Sequence, residues 1–259
     1  MVGKLVELIE YRELVRNLVV RNLKVRYKNS ALGFVWSLLN PLFLMVILTV
    51  VFSLVFGDVR VQNFPAFLIV GLIPWNFSSS SLSDAVSSVV DNGHLIKKVY
   101  FPREALPLSV VLAHFVHFLL AVPVLLLLLV VLGVHFTSLI LMLPFLMVVQ
   151  LMLIVGIALA ISCINVFYRD MHVALNVLLQ GWFFMTPIFY HHHILPLPLQ
   201  KPAMANPLAA IITAYRDILI YGRLPDSHFT WGAVVSSFAV FLVGYYLFKR
   251  YSPVFAEEV

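Results

Sequence analysis

Apolar residues run through this chain in long blocks separated by short polar clusters, and the blocks have the length of bilayer-crossing helices. A hydrocarbon core needs about 20 apolar residues per helix. Six stretches meet or approach that length: Phe34–Phe56, a second from Phe64 into the serine-rich stretch Ser78–Ser88, Ala105–Val134, Leu139–Phe167, the short Val173–Tyr190, and Trp231–Phe248. Pro65, Pro74 and the serines interrupt the second. Serine can satisfy its hydroxyl on its own helix backbone and is tolerated where helices approach closely. This span is therefore expected to face protein or a polar cavity.

The pattern differs before the first block. Between Lys4 and Lys28, Leu8, Val15, Leu18 and Val19 fall on one helical face, and Asn17, Arg21, Lys24 and Lys28 fall on another. That spacing predicts a helix lying in the headgroup plane, either as a surface anchor or as a platform for a cytoplasmic partner or an anionic headgroup. Gly33 permits a bend into the first span. Trp36 suits the interfacial belt, and Pro41 can kink the span.

Composition restricts the class further. Hydrophobic residues make up 62% of the 259 residues and charged residues 11%, against roughly 45–50% and 25% in soluble domains. A soluble enzyme, a disordered chain and a nucleic-acid binder are excluded. The single cysteine, Cys163, excludes a disulfide framework. No short apolar core precedes a small-residue cleavage site near the N-terminus, so no cleavable signal is expected. Lysine and arginine mark the cytoplasmic side. Lys4, Arg12, Arg16, Arg21, Lys24, Arg26, Lys28, Lys97, Lys98, Arg103, Arg169, Lys249 and Arg250 fall on one side of the six-span arrangement. Only Arg60, Lys201, Arg216 and Arg223 fall on the other. Both termini are therefore expected in the cytoplasm, with 1–30 as interface helix, 34–248 as the bundle and 249–259 as a tail of one membrane domain.

Candidate chemistry is sparse. No G-x-x-x-x-G-K-[ST] loop is present, so ATP-driven work would need a separate polypeptide. Asp84 is the one acid near a span interior, and no halves repeat, which disfavours a secondary transporter. No acid/base or nucleophile constellation suggests a membrane enzyme. His191–His193 reads as an interfacial run. His114 and His117, one turn apart without a carboxylate nearby in sequence, read as interhelical hydrogen-bonding groups. Arg169–Asp170 reads as an ion pair or helix cap. Arg26 and Lys28 stand where a lipid diphosphate would meet cations, though topology alone also accounts for them. Asn206–Pro207 opens an apolar segment ending at Tyr221–Gly222. It is too short to cross and return, so a re-entrant hairpin is expected. Arg216 would need a partner or water there.

Four segments carry a resemblance. RYKNSALGFVWSLLNPL (26–42), LIKKVYFPREALPLS (95–109), NVFYRDMHVALNVLLQGWFFMTPIFY (165–190) and NPLAAIITAYRDILIYG (206–222) resemble, in order, motifs of ABC transporter permeases that export polysaccharides on a lipid carrier. The resemblance implies an all-α integral membrane protein of the type-two ABC exporter fold, with six transmembrane helices, an N-terminal amphipathic interface helix and an external re-entrant helical hairpin. It implies a homodimer in the inner membrane with two ATPase subunits that use ATP and Mg, and no cofactor bound by this chain itself. The cargo implied is an undecaprenyl-diphosphate-linked polysaccharide, O-antigen first. Teichoic acid, capsule or a small drug are the alternatives within the superfamily. It further implies a cytoplasmic gate at Arg26, Tyr27, Lys28, Leu32 and Gly33, and an ATPase-coupling helix at Leu95, Ile96, Lys97, Lys98, Val99 and Tyr100. The external gate would comprise Asn206, Pro207, Tyr215, Arg216 and Asp217. Placing the first and fifth spans at the pore makes Phe34, Trp36, Phe43, Phe52, Trp182, Phe183, Phe184 and Tyr190 channel-lining aromatics that could stack on sugar rings.

Overall fold

The computed structural model describes residues 11–27, 35–56, 63–191, 196, 198 and 203–259. Every regular element among them is helical. We number the α-helices α1 (Arg12–Tyr27), α2 (Val35–Phe56), α3 (Phe64–Ala85), α4 (Gly93–Lys98), α5 (Ala105–Val131), α6 (Leu143–Phe167), α7 (Met171–Met185), α8 (Pro207–Leu219), α9 (Ser227–Tyr251) and α10 (Phe255–Glu258). A short 3-10 turn, Ser138–Met142, leads into α6. In lipid a backbone must satisfy its own polar groups, and an uninterrupted helix does so.

Four helical stretches among the described residues are long and apolar enough to cross a membrane: Phe64–Ala85, Ala105–Val131, Ser138–Phe167 and Ser227–Glu258. Leu39–Phe52 and Met171–Met185 are apolar but shorter. These two coincide with the first and fifth expected spans. The fifth stops at Met185 rather than Tyr190 because Thr186, which precedes Pro187, is extended at ψ 131°. Proline disfavours helical backbone in the residue before it. The result is a multi-pass, all-helical membrane protein.

The bundle is built around α3, whose first three turns are almost wholly buried. The closest helix pair is α6 with α9. A Cβ added to Gly156 would stand 2.6 Å from the Phe241 Cα, and one added to Gly244 would collide with the Gly156 carbonyl oxygen. Small residues at such crossings let backbones touch, which is how helices associate where lipid removes the hydrophobic drive.

A second tie is polar. Gln150 on α6 is fully buried. Its Nε2 donates to the Pro74 carbonyl at 2.8 Å and to Ser78 Oγ at 2.9 Å on α3, while its Oε1 accepts from the Tyr215 hydroxyl on α8 at 3.1 Å. One amide thus pins three helices. The sequence reading missed it, although a lone amide inside an apolar span is a signal in itself.

Candidate functional site

Two ends of the bundle carry its polar chemistry. At the first, α1 lies against α5. Asn22 Nδ2 donates to Ser109 Oγ at 3.2 Å, and Arg21 Nη2 donates to Asn92 Oδ1 at 3.1 Å, immediately before α4. The C-terminal α10 comes to the same place: its Phe255 ring meets Phe167 and Phe248, and Val259 abuts Gly93 so closely that a Cβ there would overlap it. Helix α1, the segment around α4 and the tail therefore form one surface, which the linear sequence did not disclose. This end holds Arg12, Arg16, Arg21, Lys24, Lys97, Lys98, Arg103, Arg169, Lys249 and Arg250.

Of the expected coupling residues, Ile96 is buried and Leu95 half-buried, fixing α4 to the bundle, whereas Lys97, Lys98, Val99 and Tyr100 are exposed, Tyr100 to 82%. The helix ends at Lys98 rather than Tyr100, since Val99 is extended. Beside it lies a cavity of 340 Å³ lined by Tyr100, Phe101, Pro102, Arg103, Glu104, Lys249, Ser252 and Pro253. Lys249 Nζ stands 3.8 Å from Glu104 Oε1 across it.

The gate residues expected at the start of the first span fall at the limit of what is described. Arg26 and Tyr27 close α1, while Lys28, Leu32, Gly33 and Phe34 lie outside the described residues. The aromatic set divides. Trp36, Phe43 and Phe184 are exposed on the single chain. Phe52 packs on Phe64 and Phe189, with ring centres 5.4 and 6.0 Å apart. Trp182 and Phe183 pack edge-on against Trp75 at 5.8 and 5.5 Å. The Tyr190 hydroxyl donates to the Phe184 carbonyl at 3.0 Å.

At the opposite end, α8 is drawn into the bundle. Asn206 caps it by accepting from the Leu208 N–H at 3.1 Å, and Pro207 follows where a missing N–H is harmless. Tyr215, Arg216 and Asp217 are all buried. The Arg216 guanidinium lies 3.5 Å over the Phe67 ring. It donates to the carbonyls of Phe67 at 3.2 Å, Ile188 at 2.6 Å and Pro187. The partner that sequence required for Arg216 is thus backbone, made available where α7 breaks at Pro187. Asp217 pairs with Arg223 at 2.7 Å. Within 206–222, where a re-entrant hairpin is expected, the structure shows one continuous helix, α8, followed by a turn at Gly222; His192 and His193 lie outside the described residues. His191 is described and stacks on Phe67.

The interhelical hydrogen bond expected of His114 is present, but its partner is a carboxylate that was not expected beside it: Asp84 of α3 approaches its Nε2 to 2.8 Å, with the Asp84 side chain 59% exposed and the His114 side chain 6%. The pair is thirty residues apart in sequence and meets only through the α3–α5 packing. Asp170 stands at the N-cap of α7, yet its side chain makes no capping hydrogen bond. Among the described residues no group of three or more His, Cys, Asp or Glu could hold a metal.

Comparison with known proteins agrees with this architecture. Residues 13–220 match the ABC-2 type transporter family. The O-antigen export system permease protein RfbA of Myxococcus xanthus is 33% identical over 98% of both chains. The protein of that name from Klebsiella pneumoniae is 34% identical over 92% of this chain and 91% of its own. The polysialic acid transport protein KpsM of Escherichia coli is 24% identical over 82% of this chain and 83% of its own. With a family match across most of its length and a relative one-third identical from end to end, the chain belongs to the ABC-2 type transporter family.

Proposed function

We propose that this chain is the membrane permease of an ATP-driven exporter of a lipid-linked polysaccharide, O-antigen first among the candidates. Two copies pair in the inner membrane with both termini cytoplasmic, and each engages one separate ATPase subunit that supplies ATP and Mg chemistry. Six spans, an interface helix and an external hairpin complete each copy. The observation that carries the reading is the surface made by α1, α4 and α10. An element that receives a push must be rigidly held yet open to a partner. Ile96 and the tail hold α4, while Lys97 to Tyr100 stand free of the bundle.

In this reading Leu95 to Tyr100 insert into the ATPase. The gate at Arg26, Tyr27, Lys28, Leu32 and Gly33 receives an undecaprenyl-diphosphate headgroup, with arginine matching phosphate oxygens bidentately. The aromatics of the first and fifth spans line the path. Helix α8, with Asn206, Pro207, Tyr215, Arg216 and Asp217, borders the exit. Co-expression with its ATPase and reconstitution into vesicles tests this. A two-plus-two complex that moves the lipid-linked glycan only with ATP is the expected result. Transport by the permease alone overturns it.

A further inference from the structure

Between residues 71 and 89, every side chain of α3 and its following turn that is not buried is polar: Asn76, Ser79, Ser80, Ser83, Asp84 and Ser87. The apolar neighbours in that stretch all point inward. Such a pattern is foreign to a lipid-facing surface. On α5 the exposed positions are Leu119, Leu120, Pro123, Val124, Leu127, Val130 and Val131, all apolar.

Its location is fixed by the rings around it. Trp75 contacts Trp182 and Phe183 of α7, and Phe77 contacts Phe115 and Phe118 of α5. At about 100° per residue, Asn76, Ser79, Ser80, Ser83 and Asp84 all fall in the sector between Trp75 and Phe77. The polar face is thus the floor of a groove walled by α7 and α5. Only Leu175 and Leu179 of α7 are buried, so this wall is loosely attached on the single chain. From Asn76 to Asp84 the face climbs roughly 12 Å along the helix axis.

We propose that this face is a hydrogen-bonding track for the sugar hydroxyls of the exported chain; the proposal rests on the export reading above and deepens it. Three observations favour a saccharide. Asp84, in the last turn of α3 and 59% exposed, must face water or a bundle interior rather than lipid. Ser79 and Ser80 donate within their own helix, to the Asn76 carbonyl at 3.4 Å and to Asn76 Oδ1 at 3.3 Å. Their oxygens remain acceptors for sugar O–H groups, and the Asn76 amide nitrogen, which donates to no described residue, remains a donor. The walls also carry the half-buried rings of Phe115, Trp182 and Phe183, which can meet the C–H faces of sugar rings. A conduit must bind well enough to admit cargo and weakly enough to release it. Single hydroxyl contacts, individually weak, meet both demands when repeated along a helix. The Asp84–His114 pair closes the track at the basic end and holds the carboxylate in place.

The test uses the permease–ATPase complex in proteoliposomes with Cys163→Ala as background. Ser79→Cys and Ser83→Cys are expected to react with a charged, membrane-impermeant thiol reagent far faster than Leu127→Cys on α5. Trapping the lipid-linked glycan in the complex should slow that reaction. Ser83→Phe should lower export about tenfold, the equivalent of losing one or two hydrogen bonds, with assembly and ATP hydrolysis unchanged. Ser83→Thr, which keeps the hydroxyl, should export normally. Unreactive Ser79→Cys and Ser83→Cys, a disulfide between copies formed by Ser83→Cys, or full export by Ser83→Phe would each overturn the track. The labelling arm needs no cargo. A wild-type complex that labels as expected but moves no lipid-linked glycan therefore counts against the export reading and not against a wet groove.

Discussion

The two ends of the bundle handle charge in opposite ways. At the α8 end Arg216 is buried, with its guanidinium engaged by three backbone carbonyls and an aromatic face. At the α4 end Lys97 and Lys98 are exposed beside Val99 and Tyr100. A buried cation that must hydrogen-bond its own backbone is fixed in place and contributes to integrity. An exposed cation has given up little to solvent and can still be claimed by a partner. One end is therefore a clamp and the other a handle, although both carry cations.

Substitutions can break or sharpen this contrast. The largest effect is expected at Arg216. Arg216→Leu leaves the Pro187 and Ile188 carbonyls buried without this donor and should destabilise by about 2–5 kcal/mol, read as a lower melting point in detergent and reduced accumulation in the membrane. Gly71→Ala comes next. Its new methyl would stand 2.5 Å from Arg216 Nη2, and the guanidinium is held too firmly to step aside. About 1–3 kcal/mol of destabilisation follows from such overpacking. Gln150→Leu should lose about 1–2 kcal/mol, since intramembrane hydrogen bonds are individually modest. The smallest stability change is at the handle: Lys97→Ala, Lys98→Ala and Tyr100→Ala together should alter melting by less than about 0.5 kcal/mol, yet abolish co-purification of the ATPase. A large loss of stability there, or none at Arg216, would erase the distinction.

Sequence and structure agree where the physics is local. Apolar run length placed four of the six expected spans on helices long and apolar enough to cross a membrane, since bilayer thickness sets helix length directly. Asn206–Pro207 announced the start of α8 because capping and proline placement act within a few residues. The clustering of cations followed from topology. What was hidden depends on which helices meet. Asp84 and His114 are both visible in the sequence, but their 2.8 Å approach needs the α3–α5 packing. Gln150 stood out as a lone amide without naming Pro74, Ser78 or Tyr215 as its partners. Gly156 and Gly244 are ordinary glycines until two backbones are brought together. The candidate site was legible in kind, as exposed aromatics and cations, and illegible in arrangement. Trp182 and Phe183 turned out to lean on Trp75, and the tail turned out to abut α4 at Gly93.

The glycine crossing has a mechanical corollary. With Gly156 and Gly244 in backbone contact, α6 and α9 have no cushion of side chains between them, so the two helices are locked together at this crossing. Helix α9 spans 25 residues, about 37 Å, and its far side carries the tail that rests on Gly93. A methyl on Gly244 would collide with the Gly156 carbonyl oxygen, and backbone cannot step aside as a side chain can, so Gly244→Ala should force the two helices apart and loosen the whole crossing.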